Sequence, residues 1–358
     1  MKKILIANIF GIGDVLFTTP LIVNLKRNIT GVEIDYLCNK RAFDVLKGNP
    51  EIKKIFIYEK DHFVRLWRDS RMKCLKELYH LFDSIRKRQY DAVFDFTLSR
   101  KFGVFFAFCG ISRRIGLDYK KRGTLLTDKM PFSGFKDKHV VDHYLDLLNF
   151  IKLPAVVSQL SLFPDDLAIE DLADLWNDRE KLKRPLISVI PGGGASWGKE
   201  ASRKRWKVEK FAKVADLLID KGCDVAVVGD KNEAGLCQDL VMNMKNMPVM
   251  LENDFSLKKY IAFLSRCSLV LCNDGGPLHV AAALGIKTVS IFGPVDENVY
   301  GPYPASKKHR VAVALKVKCR PCYSNFRLPA CKGDNRCLDE IMPEKVANMC
   351  FESLGIEV

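Results

Sequence analysis

No stretch of the sequence approaches the ~20 uninterrupted apolar residues that a membrane-spanning helix needs. The most apolar run, Phe102 to Ile111, is far too short, so a chain that crosses a bilayer is not expected. A secretory leader is not expected either: Lys2 and Lys3 precede an apolar run, but Asp14 interrupts it and no small-residue cleavage site follows. Low-complexity tracts and short-period repeats are absent. So are the signatures of helix-turn-helix, RNA-recognition and zinc-finger modules, which leaves nucleic acid without a reader.

What is present is an excess of positive charge, 57 Lys and Arg against 43 Asp and Glu, for a formal net charge of +14. Such a balance favours an anionic partner: nucleic acid, phosphorylated sugars or an acidic membrane face. Composition alone does not choose among them. The chain has twelve cysteines, but Cys38, Cys109, Cys223, Cys267 and Cys272 sit inside apolar segments, as small hydrophobes do. A reducing cytoplasm is therefore the expected setting. At 358 residues the chain is too long for one typical core, so two domains of roughly 150 to 200 residues are expected.

Strand, tight turn and helix follow one another from the first residues. Lys3 to Asn8 reads as a strand, Gly11 and Gly13 as the turn, and Val15 to Arg27 as a helix. Further strands are expected at Val32–Cys38, Ile52–Tyr58 and Ala92–Phe96, with a helix at 41–47 and one long basic amphipathic helix at 64–88. After a connection rich in Pro and acids near 153–170, the alternation resumes with strands at 186–190, 224–228, 269–272 and 288–292. This pattern predicts an α/β protein with two doubly wound, Rossmann-like domains whose strand ends face each other across a cleft. The domains are placed at 1–165 and 166–342, and a terminal helix at 343–358 is expected to cross back to the first domain.

Two glycine-rich strand ends in the second domain point to phosphate. In VIPGGGASWGKEASRKRW, Gly192, Gly193 and Gly194 end a strand and allow backbone amides to approach an anion. Lys199, Arg203, Lys204 and Arg205 follow and supply cations. In LVLCNDGGPLHVAAALGIKTVSIFGP, Asp274, Gly275 and Gly276 turn a strand into a helix with Pro277 at its start, so the helix amino end faces a bound group such as a diphosphate. Asp274 also reads as a helix cap and His279 as a packed histidine.

The opening GIGDVLFTTP is a weaker phosphate candidate. A dinucleotide fingerprint needs a third glycine where this sequence has Leu16, which also argues against a nicotinamide-dependent oxidoreductase. Asp35 stands at the spacing of a ribose ligand, but it lies in an alternating strand where Glu33 and Asp35 are expected to face solvent. Gly13 and Asp14 remain: the turn aims the Asp14 carboxylate into the cleft, where it also suits an amino-terminal cap worth ~1 kcal/mol. The basic stretches Arg65–Arg88 and SRRIGLDYKKRG, with Arg113, Arg114 and Lys120, read either as solvated surface or as an acceptor-phosphate or anionic-membrane contact. Near the end, Cys319, Cys322, Cys331 and Cys337 have a spacing that allows one structural zinc or an iron–sulfur cluster, and equally two disulfides or four plain thiols.

Taken in order, GIGDVLFTTPLIVNLK, PGGGASWGKEASRKRWKVEKFAKVADLL and SLKKYIAFLSRCSLVLCNDGGPLHVAAALGIKTVSIFGP resemble glycosyltransferase family 9, the lipopolysaccharide heptosyltransferase-like enzymes. The resemblance implies a GT-B fold, with the acceptor on the first domain and a nucleotide-sugar donor on the second. It implies inverting transfer without a catalytic cofactor or metal, of a heptose from an ADP-heptose-type donor onto an anionic glycolipid acceptor. A cytoplasmic protein, peripheral on the cytoplasmic face of the inner membrane, follows from that role. Asp14 carries over as general base, Lys204 as the diphosphate contact, Asp274, Gly276 and His279 as donor-site residues, and Asp230 or Glu233 as ribose contacts. The loop between PGGG and KRW is longer than in the heptosyltransferases, and the cysteine tail occurs in only part of the family; both bear on donor sugar and acceptor. A family member using another nucleotide-sugar, or a non-catalytic sugar- or membrane-binding module, is the alternative.

Overall fold

A computed structural model of the chain describes residues 1–173, 184–193, 195–332 and 334–357. The chain forms two compact units: Met1–Phe135 with Val140–Ser161, and Lys136–His139 with Leu162–Val358. The chain thus leaves the first unit for the last time after Ser161, inside the connection near 153–170 where the sequence pattern changes.

In the first unit, β1 (Lys3–Ala7), β2 (Glu33–Cys38), β3 (Ile52–Ile57), β4 (Ala92–Asp95), β5 (Arg113–Tyr119) and β6 (Asp128–Phe132) form a parallel sheet in the order β3-β2-β1-β4-β5-β6. The second unit repeats the order. Its β7 (Leu186–Ile190), β8 (Asp224–Val228), β9 (Met250–Glu252), β10 (Leu269–Asn273), β11 (Lys287–Phe292) and β12 (His309–Val313) run β12-β11-β10-β7-β8-β9, again parallel. Each sheet reverses its winding at one point, between β1 and β4 and between β7 and β10. Ligands of doubly wound sheets bind beyond the strand ends at that point.

The central strands are the continuous apolar runs the sequence shows, because a parallel sheet is covered on both faces. Ile4 to Ala7, Val225 to Val228 and Leu269 to Cys272 have no solvent exposure. The strands that sequence reasoning missed are mostly edges. β6 alternates half-buried and exposed residues and contains Pro131, β9 has three residues, and β12 is half-buried along most of its length. An edge strand needs no continuous apolar run and tolerates proline.

Two expected helices are each divided. Thr18 and Thr19 donate their hydroxyls back to the carbonyls of Val15 and Leu16 at 2.7 Å, and Pro20 opens the next helix, so Ile12–Leu16 and Thr19–Asn28 are separate. The basic stretch forms Lys60–Asp69 and Arg71–Arg86, because Ser70 is extended and caps the second helix by accepting from the Lys73 amide. The terminal helix Pro343–Leu354 belongs to the second unit, where the sequence had suggested a return to the first. Its Val346, Ala347, Cys350 and Phe351 are buried in the core that holds Trp206, Phe211 and Val214, which gives its apolar face a partner without leaving that unit.

Asp35 is also not where alternation places it. It is fully buried on β2, with its Oδ2 taking the Arg88 Nε at 2.7 Å and the Tyr90 hydroxyl at 2.5 Å, while Arg88 also pairs with Glu33. A structural ion cluster, not a ribose, accounts for this acid.

Asp95, the last residue of β4, is buried beside the end of β1, where the Phe96 amide donates to the Ala7 carbonyl at 2.9 Å. Burial pushes its carboxyl up to about 6, against the bonds it accepts from the Thr97 amide and hydroxyl. The folded protein therefore holds a proton that the unfolded chain releases, and stability falls as pH rises from about 4 through about 6. Asp95→Asn keeps the Oδ1 acceptor and is expected to remove about 2–3 kcal/mol of that decline. Urea unfolding at pH 4, 5, 6 and 7 measures it; an unchanged slope in the variant would show that another group titrates.

Candidate functional site

The switch point of the second sheet gathers most of the predicted donor residues. Asn273, at the end of β10, is 1% exposed and its amide joins three segments. Its Oδ1 accepts from the Trp206 amide at 2.9 Å, and its Nδ2 donates to the carbonyls of Pro191 and Gly192 at 2.8 and 3.0 Å. The PGG turn, the KRW segment and the DGG turn are thereby held against one another.

The glycine turn already holds an anion of the chain's own. Glu233 Oε1 accepts from the Gly193 amide at 2.7 Å and pairs with Arg205 at 3.3 Å, while Arg205 Nε donates to the Gly193 carbonyl at 2.9 Å. Gly193 has φ +115°, open to glycine and strained for other residues, and Gly194 lies outside the described residues. Asp230 positions Glu233: its Oδ1 accepts from the Asn232 and Glu233 amides at 2.7 and 3.1 Å, capping the turn Lys231–Glu233. Asp230 and Glu233 thus shape the loop.

Lys204 and Asp274 form an ion pair at 2.5 Å with both side chains almost fully buried. The Lys204 ammonium also lies 4.3 Å from the centre of the Trp197 ring, which stacks on Tyr323 at 4.7 Å. A cation on an aromatic face in a desolvated setting is stabilised on two sides. Gly275 leads into the helix Gly276–Ala283, which has Pro277 in its first turn and His279 buried within it. Burial, then the charges of His139 and Lys204, lower the His279 imidazole to about 3, so it is neutral at neutral pH. Sequence reasoning gave no role to Trp197 or Asn273. An indole inside a polar, glycine-bearing loop, away from any core periodicity, was the available signal for the first; the second resembles any strand-end asparagine.

In the first unit Asp14 lies in the short helix Ile12–Leu16 that follows β1, at the switch point between β1 and β4. Its Oδ2 accepts from the Gly11 amide at 3.1 Å and its carbonyl accepts from Asn8 Nδ2 at 3.0 Å, so the carboxylate's orientation is set by the turn. Gly13 belongs to the same helical turn and its carbonyl takes the Phe17 amide. Arg113 and Arg114 are committed to the fold. Arg113 makes two bonds to Asp128 across β5 and β6, at 3.2 and 2.8 Å, and Arg114 donates to the carbonyls of Leu125, Ile111 and Ser112. Lys120 is exposed in a left-handed turn, its ammonium 4.9 Å from the Tyr119 ring centre.

The cysteine tail packs beside the donor-site loops. The amides of Cys322 and Tyr323 donate to the Pro294 carbonyl at 2.9 Å, and Arg203 donates to the Pro329 carbonyl at 2.6 Å. Burial, followed by the neighbouring thiols of Cys322, Cys331 and Cys319, pushes the Cys337 thiol up to about 11. Among the described residues no three His, Cys, Asp or Glu side chains are placed to hold a metal ion. The zinc site that this spacing allows is not formed by the described side chains as placed.

A Cβ at Gly192 would lie 2.1 Å from the Glu233 carboxylate, which is held by the Gly193 amide and Arg205. Gly192→Ala is therefore expected to lower stability by about 1–3 kcal/mol. In a Glu233→Ala background it should cost at least about 1 kcal/mol less, since the clash has been removed. Denaturant unfolding of the four proteins measures this coupling, and strict additivity would refute the clash.

Comparison with known proteins agrees with this layout. A lipooligosaccharide heptosyltransferase 2 of Campylobacter jejuni is 29% identical over 218 residues, 59% of this chain; the chain spans 63% of that relative's length. The structure of glycosyltransferase family 9 from Veillonella parvula superposes with a TM-score of 0.83 at 21% identity, covering 99% of this chain and 97% of that one. That of the E. coli ADP-heptose lps heptosyltransferase II gives 0.75 at 21% identity, covering 99% and 98%. At these identities the structures establish the fold, two Rossmann-like units of the GT-B class. Residues 78–328 match the profile of "Glycosyltransferase family 9 (heptosyltransferase)", a span that starts after the Asp14 turn and takes in every donor-site loop described above. With more than half of its length inside that match, this chain belongs to glycosyltransferase family 9.

Proposed function

We propose that this chain is a glycosyltransferase that moves a heptose from an ADP-heptose-type donor to a lipopolysaccharide core or related glycolipid acceptor. The first unit takes the acceptor and the second the donor. The observation that carries the reading is the buried Lys204–Asp274 pair on Trp197, set between the glycine turn after β7 and the helix Gly276–Ala283 after β10. It is supported by the family membership and by the names of relatives that act in lipopolysaccharide assembly.

In the proposed reaction the acceptor hydroxyl oxygen attacks the anomeric carbon as the bond from that carbon to the diphosphate oxygen breaks. The hydroxyl proton passes to Asp14, and the electron pair leaves with the diphosphate. Attack from the face opposite the leaving group inverts the centre. Lys204 has three N–H donors, so its pairing with Asp274 leaves capacity for a phosphate oxygen, and the amino end of Gly276–Ala283 adds a partial positive charge. Those groups supply the stabilisation of the departing charge for which a metal ion is used elsewhere. Because Glu233 occupies the Gly193 amide, the glycine turn acts by allowing close approach and by holding Arg205, more than by wrapping a phosphate itself. Asp14, held by the Gly11 amide, is oriented before substrate arrives. The setting is the cytoplasmic face of the inner membrane, where such an acceptor is presented.

Asp14→Asn keeps the turn's shape and is expected to lower transfer by about 10²–10⁴-fold. The ADP-induced rise in melting temperature should remain within a degree of the unmodified protein, because ADP contacts the other unit. Release of ADP in the presence of acceptor, and thermal shift with ADP-, GDP- and UDP-sugars with and without chelator, measure both parts. Transfer by the variant at more than a tenth of the normal rate would remove Asp14 from the chemistry, and a chelator-sensitive rate would overturn the metal-free scheme.

A further inference from the structure

We propose that the helix pair Lys60–Asp69 and Arg71–Arg86 is a docking surface for an anionic lipid bilayer. The inference adds a surface to the glycolipid-acceptor reading above, and it rests on that reading only for its purpose.

The second of these helices has two apolar faces where a globular protein needs one. Cys74 and Ile85 are buried, Leu81 and Phe82 pack against the core, and Leu78 is half-buried. Met72, Leu75 and Tyr79, spaced three and four residues apart on a different stripe, are 78%, 52% and 61% exposed. The first helix has no buried residue. Phe63 and Leu66 are half-buried, with the Phe63 ring stacked on Tyr58 at 5.0 Å, while Val64 and Trp67 are 43% and 47% exposed. His62 and Glu77 join the helices at 2.7 Å, and the Arg71 guanidinium lies 5.6 Å from the Trp67 ring centre at the corner between them.

Charge identifies the occupant. From Lys60 to Lys76 there are six Lys and Arg against two acids, Asp61 and Asp69. Glu77 is taken by His62, and Asp83 by Arg86 and Lys87. Arg65, Arg68, Lys73 and Lys76 make no ion pair with any described residue. Solvent-facing apolar side chains interleaved with uncompensated cations, on helices lying at a protein surface, match an interface that is apolar a few ångströms deep and anionic above. Trp67 and Tyr79 suit the headgroup level, and the long Lys and Arg stems reach phosphates while their methylenes stay with the acyl chains. A soluble acidic protein would satisfy the cations but leave the Met72, Leu75 and Tyr79 stripe unexplained.

The test uses the full chain with no nucleotide sugar or acceptor present. Sedimentation with vesicles of pure phosphatidylcholine and of phosphatidylcholine containing 30% phosphatidylglycerol measures binding. Trp emission is read in parallel, with Trp67→Phe as the control for which indole responds. The expected result is binding to the anionic vesicles only, weakened at least about tenfold by Lys73→Glu with Lys76→Glu, and by Met72→Ser with Leu75→Ser and Tyr79→Ser, with a blue shift that Trp67→Phe removes. Unchanged circular dichroism and melting temperature show that these surface variants fold. Absence of binding to anionic vesicles, or binding by both variants within twofold of the original, overturns the proposal. So does a dimer on gel filtration that the serine variant dissociates, which would assign the stripe to a second copy. Because the assay contains no donor, failure here leaves the transferase reading intact, and loss of transfer leaves this result intact.

Discussion

The amide of Asn273 is the constraint on which the second unit's site depends. Three segments far apart in sequence end at the same switch point, and each brings polar backbone groups into a buried place. A side chain with one acceptor and two donors satisfies one N–H and two C=O groups at once, where apolar contact would leave each of them unpaired at a cost of about 1–3 kcal/mol. Neither an aspartate nor a leucine of the same size can do this. Lys204 is next but one before Trp206, whose amide Asn273 holds, and Asp274 follows Asn273 directly, so the ion pair between them inherits its geometry from that amide.

The site is more self-occupied than a glycine-rich loop suggests. An internal carboxylate takes the Gly193 amide, an internal carboxylate takes Lys204, and an aromatic ring covers the same ammonium. Such a constellation is preorganised: its charges are held by the fold before any ligand arrives, so a bound diphosphate need not reorder them. It also has a cost, because a buried ion pair that loses one member leaves an uncompensated charge.

The fold was legible because parallel strands covered on both faces must be continuous apolar runs, and the runs at β1, β7, β8 and β10 are unmistakable. Edge strands β6, β9 and β12 lack that pressure and were invisible for the same reason. The break at Ser70 was hidden because the hydrophobic period continues through it, while the cap that ends one helix and starts the next is a single residue's hydroxyl. Residues whose type announces chemistry, among them Asp14, Lys204, Asp274 and His279, can be singled out from the sequence as candidates. What the sequence did not show was pairing. Nothing in linear order says that Glu233 reaches Gly193, that Asp35 is sealed under Arg88 and Tyr90, or that Arg113 and Arg114 are consumed by their own sheet edge.

The first unit is not a continuous piece of chain. Lys136–His139 belong to the other unit, and only afterwards does the chain supply Val140–Phe150 and the segment up to Ser161. That late segment is required: Asn24 exchanges three hydrogen bonds with Val156 and Val157, and Thr19 takes the Ser161 amide. No single cut therefore yields this unit whole and alone. A fragment ending at 135 exposes the helix Thr19–Asn28, and one ending at 161 carries residues that belong elsewhere. During synthesis the ribosome must release the beginning of the second unit's chain before the first can close, so the two are tied in time as well as in sequence.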